Sequence, residues 1–341
     1  MRSVRERLPR RQPDARCQPE THKGMRHFSP PRAFANVVPF RCYTDGIGTL
    51  INRCAAGAIG ARMARLSVDY YSPSLMRTTT LDVILPIDDH GEALGLDALR
   101  RSDPAAWERT PYPPQKAPFK TLYLLHGMSG NHRDFVSETR IRSWAESRGI
   151  AVVMPSGYNA FYLDQPGSHN YYARFVGQEL VEVSRRMFPL SNRREDTFIG
   201  GISMGAYGAL RNGFKYAENF GSIIALSSAM VINDIESIVT DDLFFLSRPF
   251  LESVFGPLDQ VPDSDKDPRR LAADVVYCDR PRPRVYMAWG TQDPLAQANR
   301  LLAERLRGTG IDVTQEELPG GHDWEFWNTS LKRALDWLPL R

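Results

Sequence analysis

The sequence predicts an α/β protein with a mostly parallel central sheet, helices on both faces and a short lid insertion. Three observations carry that expectation. From residue 120 onward, short continuous apolar runs alternate with longer stretches of helical spacing. The apolar runs have too little polar character to face water on either side, which suits strands covered by helices above and below. Between two of the later runs lies 230–272, irregular and rich in Asp and Pro, which reads as the lid.

The elements follow in order. "ARLSVDYYS" and "TTLDVILPI" alternate apolar and polar residues, as half-buried strands do. Residues 87–118 are polar and Pro-rich and read as a loop. "KTLYLLHG" (120–127) is a buried strand, "NHRDFVSETRIRSWAESRG" has helical spacing behind an Asn start, and "IAVVMPSG" is again a buried strand. "NYYARFVGQELVEVSRRMFP" is a long amphipathic helix ended by Pro189. "DTFIGGIS" is a strand and "MGAYGALRNGFKYAENF" the helix after it; "FGSIIALSS" and "PRVYMAWG" (283–290) are two further buried strands. "PLAQANRLLAERLRGTG" is a helix, "IDVTQEELPG" a strand and "WEFWNTSLKRALDWLP" the closing helix.

Charge divides the chain unevenly. Residues 1–62 hold 12 Lys/Arg against 4 Asp/Glu, while the remaining 279 residues hold 31 against 36. The extension 1–62 is Arg- and Pro-rich without sustained periodicity, which predicts disorder. It has no uninterrupted apolar core of a secretory signal. Met63 looks like the natural start of a domain running over 63–341, with 1–62 a translated upstream region. The mildly acidic body offers no basic stripe for nucleic acid. No apolar run approaches the ~18 residues that span a bilayer, so no membrane partner and a cytoplasmic location are expected. Three of the four cysteines fall in the extension, leaving Cys278, and none has metal-ligand spacing. A single cysteine in the body argues against a disulfide framework.

Chemistry concentrates at Gly201-Ile202-Ser203-Met204-Gly205, a G-x-S-x-G string. Glycines two before and two after a serine remove side chains that would block a tight strand-to-helix turn. The string alone is weak, and an ordinary Gly-rich turn would also produce it. Its context, a buried strand before and a helix after, is what a nucleophile elbow requires. A serine hydroxyl needs a base, and the base needs a carboxylate to hold its tautomer. In this chain order the acid and then the histidine should follow the serine. His322 is the only histidine after Ser203, in a loop behind two glycines. Asp293 follows the strand 283–290 by a short loop, where a helix cap ahead of Pro294 is its other reading. Asp323, adjacent to the base, would have to fold back. Two N–H donors should hold an oxyanion. Met204 supplies one, and Met128 in "LLHGMSGNHRDF" the other, with Gly127 letting the backbone approach the substrate. His126 reads as a loop-orienting residue.

"LYLLHGMSGNHRDF", "VVMPSGYNAFYLD", "FPLSNRREDTFIGGISMGAYGAL", "WGTQDPL" and "GGHDWEFW" together resemble the esterase D-like group of the α/β-hydrolase superfamily, most of all bacterial tributyrin and acetyl esterases. The resemblance covers about 65–340. It implies an α/β-hydrolase fold, the triad Ser203, Asp293 and His322, and the oxyanion donors Met128 and Met204. It implies a serine carboxylesterase acting on short acyl chains through an acyl-enzyme, with a small-molecule ester as partner and neither cofactor nor metal. The segment "GYNAFYLDQPG" resembles the family's aromatic pocket wall, so Tyr158, Phe161 and Tyr162 are candidate substrate contacts, with plain ring packing the alternative. Trp324, beside His322, is a further candidate. Ala206 stands where the family usually has glycine, which bears on substrate size. Acyl transfer to a sugar or thiol, and a non-catalytic binding protein on the same fold, are the competing functions. The Thr-Cys pair of S-formylglutathione hydrolases is replaced by Ser129-Gly130. Oligomeric state is open, a homo-oligomer included.

Overall fold

β1 (Met63–Ser72) and β2 (Arg77–Pro86) form an antiparallel hairpin with Met63 opposite Pro86 and Ser72 opposite Arg77. β1 alternates buried or half-buried with exposed positions, as its sequence predicts for a half-buried strand. The computed structural model describes residues 63–87 and 118–340. The extension 1–62, its cysteines and most of the expected loop 87–118 lie outside the described residues.

β3 (Thr121–Leu125), α1 (Asp134–Glu138), α2 (Ile141–Arg148) and β4 (Ala151–Pro155) follow. One helical stretch was expected over 131–149, and two helices form. Thr139 divides them: its hydroxyl donates to Phe135 O at 2.5 Å and accepts from Ile141 N at 3.1 Å. It thereby ends one helix and starts the next. A short hairpin, β5 (Asp164–Gln165) and β6 (Asn170–Tyr171), was not anticipated; two residues per strand give no periodicity to read. α3 runs over 172–187 with a π-helical turn at Phe175–Glu179.

β7 (Thr197–Ile202) leads through Ser203 into α4 (Met204–Lys215), and β8 (Ser222–Leu226) follows. The segment 230–272 holds α5 (Arg248–Phe255) and the start of α6 (Pro268–Tyr277). Cys278 is the C-cap residue of α6. β9 (Arg284–Gly290), α7 (Ala296–Gly308), β10 (Val313–Leu318) and α8 (Trp324–Trp337) complete the alternation.

The eight-stranded sheet has the order β1-β2-β4-β3-β7-β8-β9-β10. From β4 through β10 every neighbouring pair is parallel; β2 alone runs against the rest. Side chains alternate between faces with period 2. Tyr123, Leu125 and Ile199 join one core with α3, α4, α6 and α7. Leu122, Leu124 and Phe198 join the other with α2 and α8. Every residue of β3, β4, β7 and β8 is buried, as continuous apolar strands between helical layers must be. Leu125 pairs with Gly201, Ile202 with Leu226 and Gly290 with Leu318, so the carboxyl ends of these strands align along one edge. The loops after them meet there, where open α/β sheets place their ligands. No helix among the described residues is long and apolar enough to cross a membrane.

Candidate active site

Ser203 sits at the turn between β7 and α4 with φ 51° and ψ −118°. A non-glycine residue held there carries about 1–3 kcal/mol of strain. The surroundings fix it. Ser203 N donates to Leu226 O at 2.9 Å, and Ser203 O accepts from Ala206, Tyr207 and Ala229 N–H groups, each at 3.1 Å. The flanking glycines are required by contact. A Cβ on Gly205 would lie 2.1 Å from Leu125 O, and one on Gly201 would lie 2.5 Å from the backbone of Gly205. The turn can lift the serine out of the sheet only because both positions lack a side chain.

His322 reaches the serine from the far side of the sheet edge. Its loop passes close to the end of β9: a Cβ on Gly290 would lie 2.1 Å from Gly320 O, and Gly320 has φ 141°. His322 Nε2 is 2.9 Å from Ser203 Oγ. Its Nδ1 is 3.2 and 3.1 Å from the two carboxylate oxygens of Asp293. With Nδ1–H donating to the carboxylate, the lone pair of Nε2 faces the serine hydroxyl. The His322 ring packs edge-to-face with Trp327, centroids 4.9 Å apart.

The Asp293 side chain is fully buried. Burial pushes its carboxyl up, but hydrogen bonds from His322 and the Leu295 N–H, with the Ser227 hydroxyl facing it outside strict bonding geometry, hold it below the usual value. The turn-cap reading is thus also met: Asp293 Oδ1 accepts from Leu295 N at 2.8 Å while the carboxylate faces His322. Asp323 is occupied elsewhere, capping α8 through Phe326 N at 2.9 Å.

Met128 and Met204 flank the serine, and no backbone hydrogen bond among the described residues uses either N–H. His126 braces the loop that carries Met128. Buried, it lies 2.7 Å from Gly127 O through Nδ1, and its Nε2 accepts from Gly157 N at 2.8 Å. Burial outweighs the Gly127 carbonyl and lowers its pKa to about 4, so the ring is neutral with its proton on Nδ1.

A cavity of about 860 Å³ opens over Ser203, a size suited to a small organic ligand. Gly127, Phe161 and Trp324 line it together with Met128, Ser203, Met204 and His322. Tyr158 and Tyr162 do not, which corrects their assignment as substrate contacts. Tyr162 is fully buried beneath the loop, its hydroxyl donating to His126 O at 3.0 Å. Tyr158 is exposed, on a smaller pocket of about 340 Å³ beside Arg77 and Tyr172. The reason is backbone geometry: Tyr158, Phe161 and Tyr162 all have positive φ (47°, 50° and 54°), so successive rings turn in unrelated directions.

Sequence reasoning missed Asp134, Asn233, Ile238, Phe245, Leu246 and Trp327 in the cavity wall. Trp327 was readable as the helical neighbour of Trp324, three residues on. Asn233, Ile238, Phe245 and Leu246 lie in 230–272, which has no readable period, and Asp134 stands in a polar helical stretch. Among the described residues no three His, Cys, Asp or Glu side chains cluster as a metal site.

This sheet order, with a strained serine between strand and helix at its carboxyl edge, defines an α/β-hydrolase. The chain belongs to the Esterase family, whose model matches residues 107–338, and is a carboxylic ester hydrolase. It is 41% identical to an acetyl esterase of Caldicellulosiruptor saccharolyticus over 81% of this chain and 98% of that one. A substrate-bound fluorophosphonate-binding serine hydrolase of Staphylococcus aureus superposes with a TM-score of 0.68 at 28% identity, covering 82% of this chain and 99% of that one. An S-formylglutathione hydrolase from the same organism gives 0.66 at 28% identity, covering 82% and 100%.

Proposed function

We propose that the protein hydrolyses short-chain acyl esters through an acyl-enzyme formed on Ser203. His322 takes the hydroxyl proton as Ser203 Oγ attacks the ester carbonyl. Asp293 orients the imidazole and stabilises the imidazolium, remaining ionised itself. The N–H groups of Met128 and Met204 hold the oxyanion of the tetrahedral intermediate. His322 then gives its proton to the departing alcohol and activates water to release the acid.

The observation that carries this reading is the unbroken hydrogen-bond chain from Ser203 through His322 to Asp293. The acetyl esterase relative and the apolar cavity support small acyl groups, with 230–272 acting as the lid that contributes Ile238, Phe245 and Leu246 to the wall. A p-nitrophenyl ester series from acetate to octanoate tests it. Wild type should turn over chains of acetate to butyrate length faster than hexanoate and octanoate, and Ser203→Ala should lose kcat by a factor on the order of 10⁶. Equal rates for wild type and variant across the series would contradict the proposal.

A further inference from the structure

We propose that Asp134 determines specificity: its carboxylate excludes negatively charged esters from the cavity and confines the enzyme to neutral or cationic substrates. The inference rests on the ester-hydrolase reading of the same site. Among the described residues lining the cavity, Asp134 is the one carboxylate besides the catalytic apparatus, and no Lys or Arg is present. No ion pair of Asp134 occurs among the described residues. Its neighbours His126 and His132 both have lowered pKa values through burial, so neither supplies a cation at neutral pH.

The carboxylate is also held in place. A Cβ on Gly130 would lie 2.0 Å from Asp134 Oδ2, so the oxygen packs directly on the loop whose earlier residues, Gly127 and Met128, flank Ser203. Burial raises the Asp134 carboxyl above its usual value, outweighing the Asn131 N–H and the nearby His132, which favour its charged form. The remaining wall is mostly apolar, and such walls let a charge without a cationic partner act across the cavity with less screening than in bulk water. Each turnover also generates a carboxylate in this space, and the same field favours its departure. Glutathione thioesters, which carry carboxylates of their own, are poor candidates for the site on this ground.

The test compares two acetate esters of one phenol frame at pH 8: 4-acetoxybenzoate, an anion, and its uncharged methyl ester. Wild type should prefer the neutral ester in kcat/KM. Asp134→Asn should shrink that preference about tenfold, the size expected for one unpaired charge several ångströms away at intermediate dielectric. Asp134→Glu should retain it. The ratio cancels any shared loss of active protein. An unchanged ratio in Asp134→Asn, with the neutral ester still turned over, overturns the inference. A second measurement needs no turnover: calorimetric binding of benzoate against benzamide. Wild type should favour benzamide and Asp134→Asn should close the gap; an equal gap in both overturns the inference. Failure of the wild type to hydrolyse either ester counts instead against the function itself.

Discussion

Gly205→Ala is the substitution whose consequence the structure determines most closely. The added methyl would stand 2.1 Å from Leu125 O and 2.6 Å from His126 O, both backbone atoms of the neighbouring strand and loop. Neither can swing aside as a side chain can. To regain ordinary contact, the start of α4 must retreat by about 1 Å, and a displacement of that size at a catalytic group costs about 100-fold in rate. Ser203 Oγ then loses its 2.9 Å contact with His322 Nε2, and Met204 N–H moves with it. Overpacking of this kind destabilises by about 3 kcal/mol, or a fall in Tm of about 8 °C for a domain of this size. Gly127→Ala is the control: its Cβ would meet Ile202 and Ser203 side-chain atoms at 3.5 Å, an ordinary contact, so Tm should hold. Kinetics with p-nitrophenyl acetate and calorimetric melting of both variants give the answer. Wild-type activity and Tm in Gly205→Ala would refute the steric account of the turn.

Three further outcomes are expected. Asp293→Asn should lower kcat by about 10⁴ with little change in KM, because the amide leaves His322 in the wrong tautomer; stopped-flow kinetics measures it, and a loss below tenfold would contradict the role. The His126 resonance should titrate near pH 4 by NMR. Because its native pKa is below the unfolded value of about 6.5, the stability it contributes is complete above that pH and falls as pH drops towards 4. The total is about 3 kcal/mol, which chemical denaturation across this window reads and His126→Asn should flatten. Phe245→Ala, which removes a ring from the cavity wall, should raise kcat/KM for octanoate relative to butyrate by roughly tenfold, the effect of burying about two more methylenes at ~0.8 kcal/mol each.

The sheet was legible because its strands are continuous apolar runs or clean alternations, patterns with few other physical solutions. Every strand of the large sheet lies where such a run predicts one. The helix break at Thr139 was not legible, since helical spacing continues across it and a single hydroxyl makes the division. Ser203, Asp293 and His322 could be picked out because chain order and strand ends restrict the choice to a few residues, and the structure brings those side chains together. The cavity wall could not. Its members come from 230–272, where no period exists, and from a loop whose positive φ values send Tyr158 outward, Phe161 into the cavity and Tyr162 beneath it. Asp134 escaped notice for a related reason: an acid in a polar helical stretch looks solvated, whereas its carboxylate packs on Gly130 and the residue lines the cavity.

The acyl-enzyme itself offers the most direct test. Wild-type protein mixed with p-nitrophenyl acetate, acid-quenched within milliseconds and digested should show one acetyl group on the peptide containing Ser203, preceded by a burst of p-nitrophenol. His322→Ala should show neither. Acetylation elsewhere, or turnover without any acylated Ser203 when the burst is resolved, would contradict the account.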